Sequence, residues 1–136
     1  MKLIRLTIAT GCILSSAGSF AGDMKAECPV TLPSKSVRPG EPVPGWITTP
    51  QQMHLDSAGM LSGPPESRDY VMPEEGTRDR PIYKFDKGDG QRWLWCYYGG
   101  IELSRRMDDS ITRCVLTFKK QSRNGTPTLT AVAECR

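Results

Sequence analysis

The sequence predicts a mainly β fold: a small disulfide-bonded antiparallel sheet or sandwich with proline-rich loops. Three observations carry this. Eleven prolines and thirteen glycines in 136 residues interrupt the chain too often for a helical bundle. The last third alternates apolar and polar residues with the two-residue period of strands. Asn124-Gly125, between two such runs, is the dipeptide that a tight hairpin turn favours, because both central positions need positive φ. The length supports one domain.

Residues 1–21 are set apart from that domain. Lys2 and Arg5 form a positive start, Leu6 to Ala17 is uncharged and mostly apolar, and Ser19-Phe20-Ala21 resembles a small-x-small cleavage site, so the segment reads as a secretory signal peptide. A membrane span needs about 18 to 20 apolar residues, and this run is shorter and interrupted by Thr7, Thr10, Gly11, Ser15 and Ser16. Cys12 follows Ala9-Thr10-Gly11 in a faint likeness to a lipoprotein signal, without the apolar stretch that normally comes first. The expectation is a domain over 22–136, exported to the periplasm, with no stable membrane anchor. Loss of Lys2 and Arg5 lowers the formal charge from +3 to +1. The remaining pairs, Arg105-Arg106 and Lys119-Lys120, are too short for the basic stripe that nucleic acid requires.

From Cys28 to Pro81 the prolines, including Pro39, Pro42, Pro44, Pro50, Pro64, Pro65, Pro73 and Pro81, predict extended segments and ordered loops. Short strands are expected around Trp46-Ile47-Thr48, from Met53 through Leu55 to Leu61, and over Ile82-Tyr83-Lys84-Phe85. Gly63-Pro64-Pro65 reads as a stiff surface turn. The run Trp93-Leu94-Trp95-Cys96-Tyr97-Tyr98 has the highest strand propensity in the chain and reads as the central strand, continuing past a bend at Gly99-Gly100 into Ile101-Glu102-Leu103. Pro73-Glu74-Glu75 or Arg105 to Ser110 could form a single helical turn. The expected core is Trp93 or Trp95, Ile101, Leu103, Leu116, Phe118, Leu129 and Val132.

The two final strands set a register. If Asn124-Gly125 forms the loop, paired positions sum to 249, and Cys114 faces Cys135 on a rung without backbone hydrogen bonds, within disulfide range. Pro127 falls on the same kind of rung, where its missing donor does no harm. The four cysteines after residue 21 are an even number in an exported domain, so two disulfides are expected. Cys28 then joins Cys96 by elimination.

Candidate chemistry is thin. Four cysteines and one histidine could bind zinc, but close CxxC spacing is absent and an oxidising compartment favours disulfides. Asp86-Lys87-Gly88-Asp89-Gly90 resembles half of a calcium loop, yet Tyr97 stands where the twelfth-position Glu belongs, so it reads as a polar turn. Adjacent acids such as Glu74-Glu75 and Asp108-Asp109 lack the apolar setting that separates a catalytic acid from a base. His54 is alone, and each cysteine has a disulfide partner. No catalytic residue, metal or cofactor is expected. The aromatic strand presents large rings on both faces; one face is core and the other is either covered or a binding surface.

The residues Cys28-Pro29, Gly63-Pro64-Pro65, Trp93-Leu94-Trp95-Cys96-Tyr97-Tyr98, Arg113-Cys114 and Glu134-Cys135 together resemble a family of small exported proteins of Gram-negative bacteria named after a Salmonella hypothetical protein. The likeness covers nearly all of 22–136 and includes a periplasmic immunity partner of a type VI secretion effector with an L,D-transpeptidase-like domain. It implies a rigid exported scaffold whose partner is a peptidoglycan-targeting effector that it blocks sterically; the domain itself is expected to be a monomer when free. Inhibition of lysozyme-like hydrolases and glycan binding are the competing classes. Since such effectors have open clefts, two loops with carboxylates are expected to contact the partner: Tyr70, Met72, Glu74 and Glu75 in one, Met107, Asp108 and Asp109 in the other. Failing these, the interface moves to Trp93, Trp95 and Tyr97.

Overall fold

A computed structural model describes residues 23–37, 40–41 and 43–136. The signal-peptide reading, Cys12 included, lies outside the described residues, as do Pro39 and Pro42. In chain order the strands are β1 (Met24–Glu27), β2 (Thr31–Leu32), β3 (Met53–His54), β4 (Ser57–Ser62), β5 (Tyr70–Val71), β6 (Glu75–Thr77), β7 (Arg80–Lys84), β8 (Arg92–Tyr98), β9 (Ile101–Arg106), β10 (Arg113–Arg123) and β11 (Thr126–Cys135). They form a five-stranded antiparallel sheet, β1-β11-β10-β7-β6, a four-stranded one, β5-β4-β8-β9, and a small β2-β3 pair.

The β10–β11 hairpin has the register the sequence predicts, from Arg123↔Thr126 to Cys114↔Cys135. Asn124 and Gly125 both have positive φ, 49° and 78°, as the tight turn requires. Backbone bonds between Arg113 and Arg136 bracket the cysteine rung, whose Cα atoms are 4.1 Å apart and joined by a disulfide. The second disulfide, Cys28–Cys96, spans the layers. The Cys28 N–H donates to the Ala131 carbonyl at 3.0 Å, which fixes it beside the five-stranded sheet, while Cys96 sits in β8 of the other sheet.

The core lies between the sheets. Ala26, Cys114, Leu116, Ala131 and Ala133 come from one side, and Ala58, Met60, Leu94, Cys96 and Tyr98 from the other. Tyr98 is fully buried, and its hydroxyl donates to the Pro29 carbonyl at 2.5 Å. Burial pushes this phenol up to about 12.

Several expectations are corrected. The buried face of β8 is Arg92, Leu94, Cys96 and Tyr98; Trp93 and Trp95 lie on the opposite face and are only half-buried. Successive side chains of a strand point to opposite faces, so only one set can enter the core between the sheets, and the Cys96 disulfide decides which. Gly99-Gly100 is a hairpin turn between two paired strands, with φ of 54° and 110° and Tyr98 opposite Ile101. Leu103 is exposed because β9 is an edge, and Val132 lies outside the core, whereas Ile101, Phe118 and Leu129 are partly buried and pack against it. Glu75 begins β6 and Arg105-Arg106 end β9, so neither segment is a helical turn.

Trp46-Ile47-Thr48 forms no strand. Pro44 and Gly45 occupy the centre of a turn closed by the Trp46 N–H on the Val43 carbonyl at 3.0 Å, and Gly45 has φ of +83°. This is the type II pattern, which needs positive φ at its third residue.

Candidate functional site

The outer face of the four-stranded sheet gathers most of the aromatic side chains outside the core. Trp93, Trp95 and Tyr97 alternate outward along β8. The register places Leu61, Gly59 and Ser57 of β4 on one side of them and Arg106, Ser104 and Glu102 of β9 on the other. Gly59 is what lets the Trp95 indole lie down on the sheet: a Cβ there would stand 2.6 Å from its Cζ2. Trp95 also meets the Tyr70 ring edge to face, at 5.6 Å between centroids and 85° between planes.

Tyr70 sits on β5, at the sheet edge opposite β9, yet its hydroxyl donates to Glu102 Oε2 at 2.9 Å. The phenol therefore crosses the face. The hydrogen bond to the Glu102 carboxylate, with a smaller effect of burial, raises the Tyr70 phenol above its ordinary value. At the other end, Trp93 Nε1 donates to Gln91 Oε1 at 2.9 Å and the Arg106 guanidinium lies 5.8 Å from the ring centroid. Arg106 Nη2 in turn pairs with Asp109 Oδ2 at 2.8 Å.

Of the residues the sequence proposes for partner contact, the structure brings Tyr70 and Asp109 onto this face and sends the others elsewhere. Glu74 and Glu75 lie against the five-stranded sheet, where both pair with Lys84, and the Lys84 hydrogen bond holds the Glu75 carboxyl below its ordinary range. Met72, between the two sheets' edges, is exposed. Asp108 accepts from the Ser110 hydroxyl at 2.6 Å and its N–H at 2.8 Å, bonds that hold its carboxyl below the ordinary range. Met107 is a correction: it is only 3% exposed and packs in the core, because its N–H pairs with the Arg92 carbonyl at 2.9 Å and draws it inward.

The calcium-like loop holds a cation of the chain's own. Arg92, 1% exposed, donates from Nε to the Ile111 carbonyl at 3.2 Å, from Nη1 to those of Asp89 (2.6 Å) and Gly90, and from Nη2 to that of Asp86 at 2.7 Å. Its guanidinium also lies over Phe85, 4.9 Å from the ring centroid. Among the described residues no group of three or more His, Cys, Asp or Glu is placed to hold a metal ion. Cys28, Cys96, Cys114 and Cys135 are all in disulfides and offer no thiolate. What this face can do is bind: rigid rings, a charged rim, and side chains already held in place.

The seat of Trp95 predicts an outcome. Gly59→Ala should cost about 1–3 kcal/mol, the usual cost of overpacking, and should alter the tryptophan near-ultraviolet circular dichroism; an unchanged spectrum would show that the indole does not rest there.

A family model described as the type VI secretion system Tli immunity protein matches residues 49–136, which include every strand of the four-stranded sheet. No curated protein and no solved structure matches the chain.

Proposed function

We propose that this chain, which belongs to the Tli family of type VI secretion immunity proteins, protects its producer by binding a peptidoglycan-targeting effector in the periplasm and blocking it sterically. The effector class we assign is the L,D-transpeptidase-like one. The observation that carries the reading is the family match over 49–136. Two disulfides support it, since such bonds persist in oxidising compartments. So does the outer face around Trp93, Trp95, Tyr70 and Arg106, because Trp, Tyr and Arg dominate the energetics of protein interfaces. Neutralisation of this kind needs no chemistry from the immunity protein, only a rigid surface over the effector's cleft.

Directing the toxin of the same secretion cluster to the periplasm should stop growth, and co-expression of this protein should restore it. Unchanged killing would refute immunity. Restoration by a version lacking residues 1–21 and confined to the cytoplasm would refute the periplasmic site of action. Mass spectrometry of periplasmic material should find an amino terminus near Gly22 and four oxidised thiols.

A further inference from the structure

Three of the large apolar side chains that the described residues expose stand within five positions of one another: Val43 at 61%, Trp46 at 79% and Ile47 at 94%. They flank the Pro44-Gly45 turn, whose shape is set by the fixed φ of proline and the positive φ of glycine. Side chains on so constrained a turn lose little conformational freedom on binding. From Val43 to Met53 the chain carries no charged residue. The core contains none of the three, so their exposure serves no packing purpose. An uncharged apolar protrusion on a small, otherwise charged protein marks a contact site.

We propose that the Val43–Ile47 turn is an anchor that seats Trp46 and Ile47 in an uncharged, apolar cleft of the cognate effector. This rests on the immunity reading and adds a second contact to the aromatic face. The family match begins at residue 49, beyond Ile47, so the anchor lies outside the matched residues, where a determinant of one particular partner belongs. A second copy of this chain is a poor host. Two of its grooves are lined by Lys25, Arg80, Arg113 and Glu134 and by Lys119 and Arg123, and a third, over Ile82 and Val115, still has Arg80 and Arg113 in its lining; an apolar tip would strip water from these charges without pairing them.

The test uses the oxidised, full-length exported protein and the toxin whose killing it suppresses, with equilibrium binding as the readout. The double variant Trp46→Ala/Ile47→Ala should bind at least about 30-fold more weakly, the hot-spot level, with its melting temperature unchanged. Trp46→Phe should recover most of the affinity, and Gln121→Ala, exposed on β10, should bind within about threefold of the unaltered protein. Toxin addition should shift the tryptophan emission to the blue, a shift that Trp46→Phe reduces, the remainder coming from Trp93 and Trp95 on the aromatic face. Binding by the double variant within threefold overturns the anchor while leaving immunity intact. Failure of the unaltered protein to bind any toxin overturns the immunity reading, and the anchor with it. Conversion of a dimer to a monomer by the double variant, with toxin binding retained, overturns it in favour of a second copy.

Discussion

Replacing Cys28 and Cys96 together by alanine should lower the melting temperature by roughly 15 °C or more, the largest effect expected from any pair of substitutions in this protein. The bridge closes a loop of 68 residues. Chain-entropy arithmetic for that length gives about 4 kcal/mol, a large share of the 5–15 kcal/mol by which such domains are stable. Cys114–Cys135 closes a loop of 21 residues and should contribute about 1 kcal/mol less. Thermal unfolding followed by circular dichroism checks both; a fall of less than about 5 °C for the interlayer pair would show that packing alone holds the sheets together.

Arg92→Met should cost about 3 kcal/mol, the low end of what breaking a buried charged arrangement costs. Methionine keeps the bulk but none of the donors, so the carbonyls of Asp86, Asp89, Gly90 and Ile111 all lose the guanidinium that gathers them. Arg92→Lys should recover only part of this, because one ammonium cannot present a planar fork to four acceptors. The loop after Phe85 should become sensitive to trypsin at Lys87. Denaturant unfolding that changes by less than about 1 kcal/mol would mean that water replaces the guanidinium at little cost.

Where local chemistry dictates geometry, the sequence could be read in detail. Asn124-Gly125 determines a turn, the turn determines a register, and the register places Cys114 against Cys135 before any tertiary contact is considered. The Trp93–Tyr98 run was harder because ring size suggests burial on both faces. Its parity was nevertheless available: a disulfide-bonded Cys96 must point inward, and Leu94, Tyr98 and Arg92 follow at steps of two. Reading Gly99-Gly100 as a hairpin would likewise have put Arg106 beside Trp93 and Glu102 beside Tyr97. Gly59, within an apolar strand, was a signal of close approach. Other features left no local trace. Trp46-Ile47-Thr48 has strand propensity but no partner to pair with, and the burial of Met107 follows from a backbone bond to a strand 15 positions earlier, at Arg92. The expected loop acids were correctly seen as surface residues, but which cation each would meet depended on the fold.

The position of β11 bears on how the chain is made. It lies between β1 and β10, so the five-stranded sheet cannot close while Cys135 is still inside the ribosome, and Cys28 lacks its Ala131 acceptor until then. The β1 segment therefore waits, without its sheet partner, until β11 has been made. For the exported chain that we propose, this ordering delays closure of the five-stranded sheet until Thr126–Cys135 has been made, and a product cut short before residue 126 cannot complete that sheet.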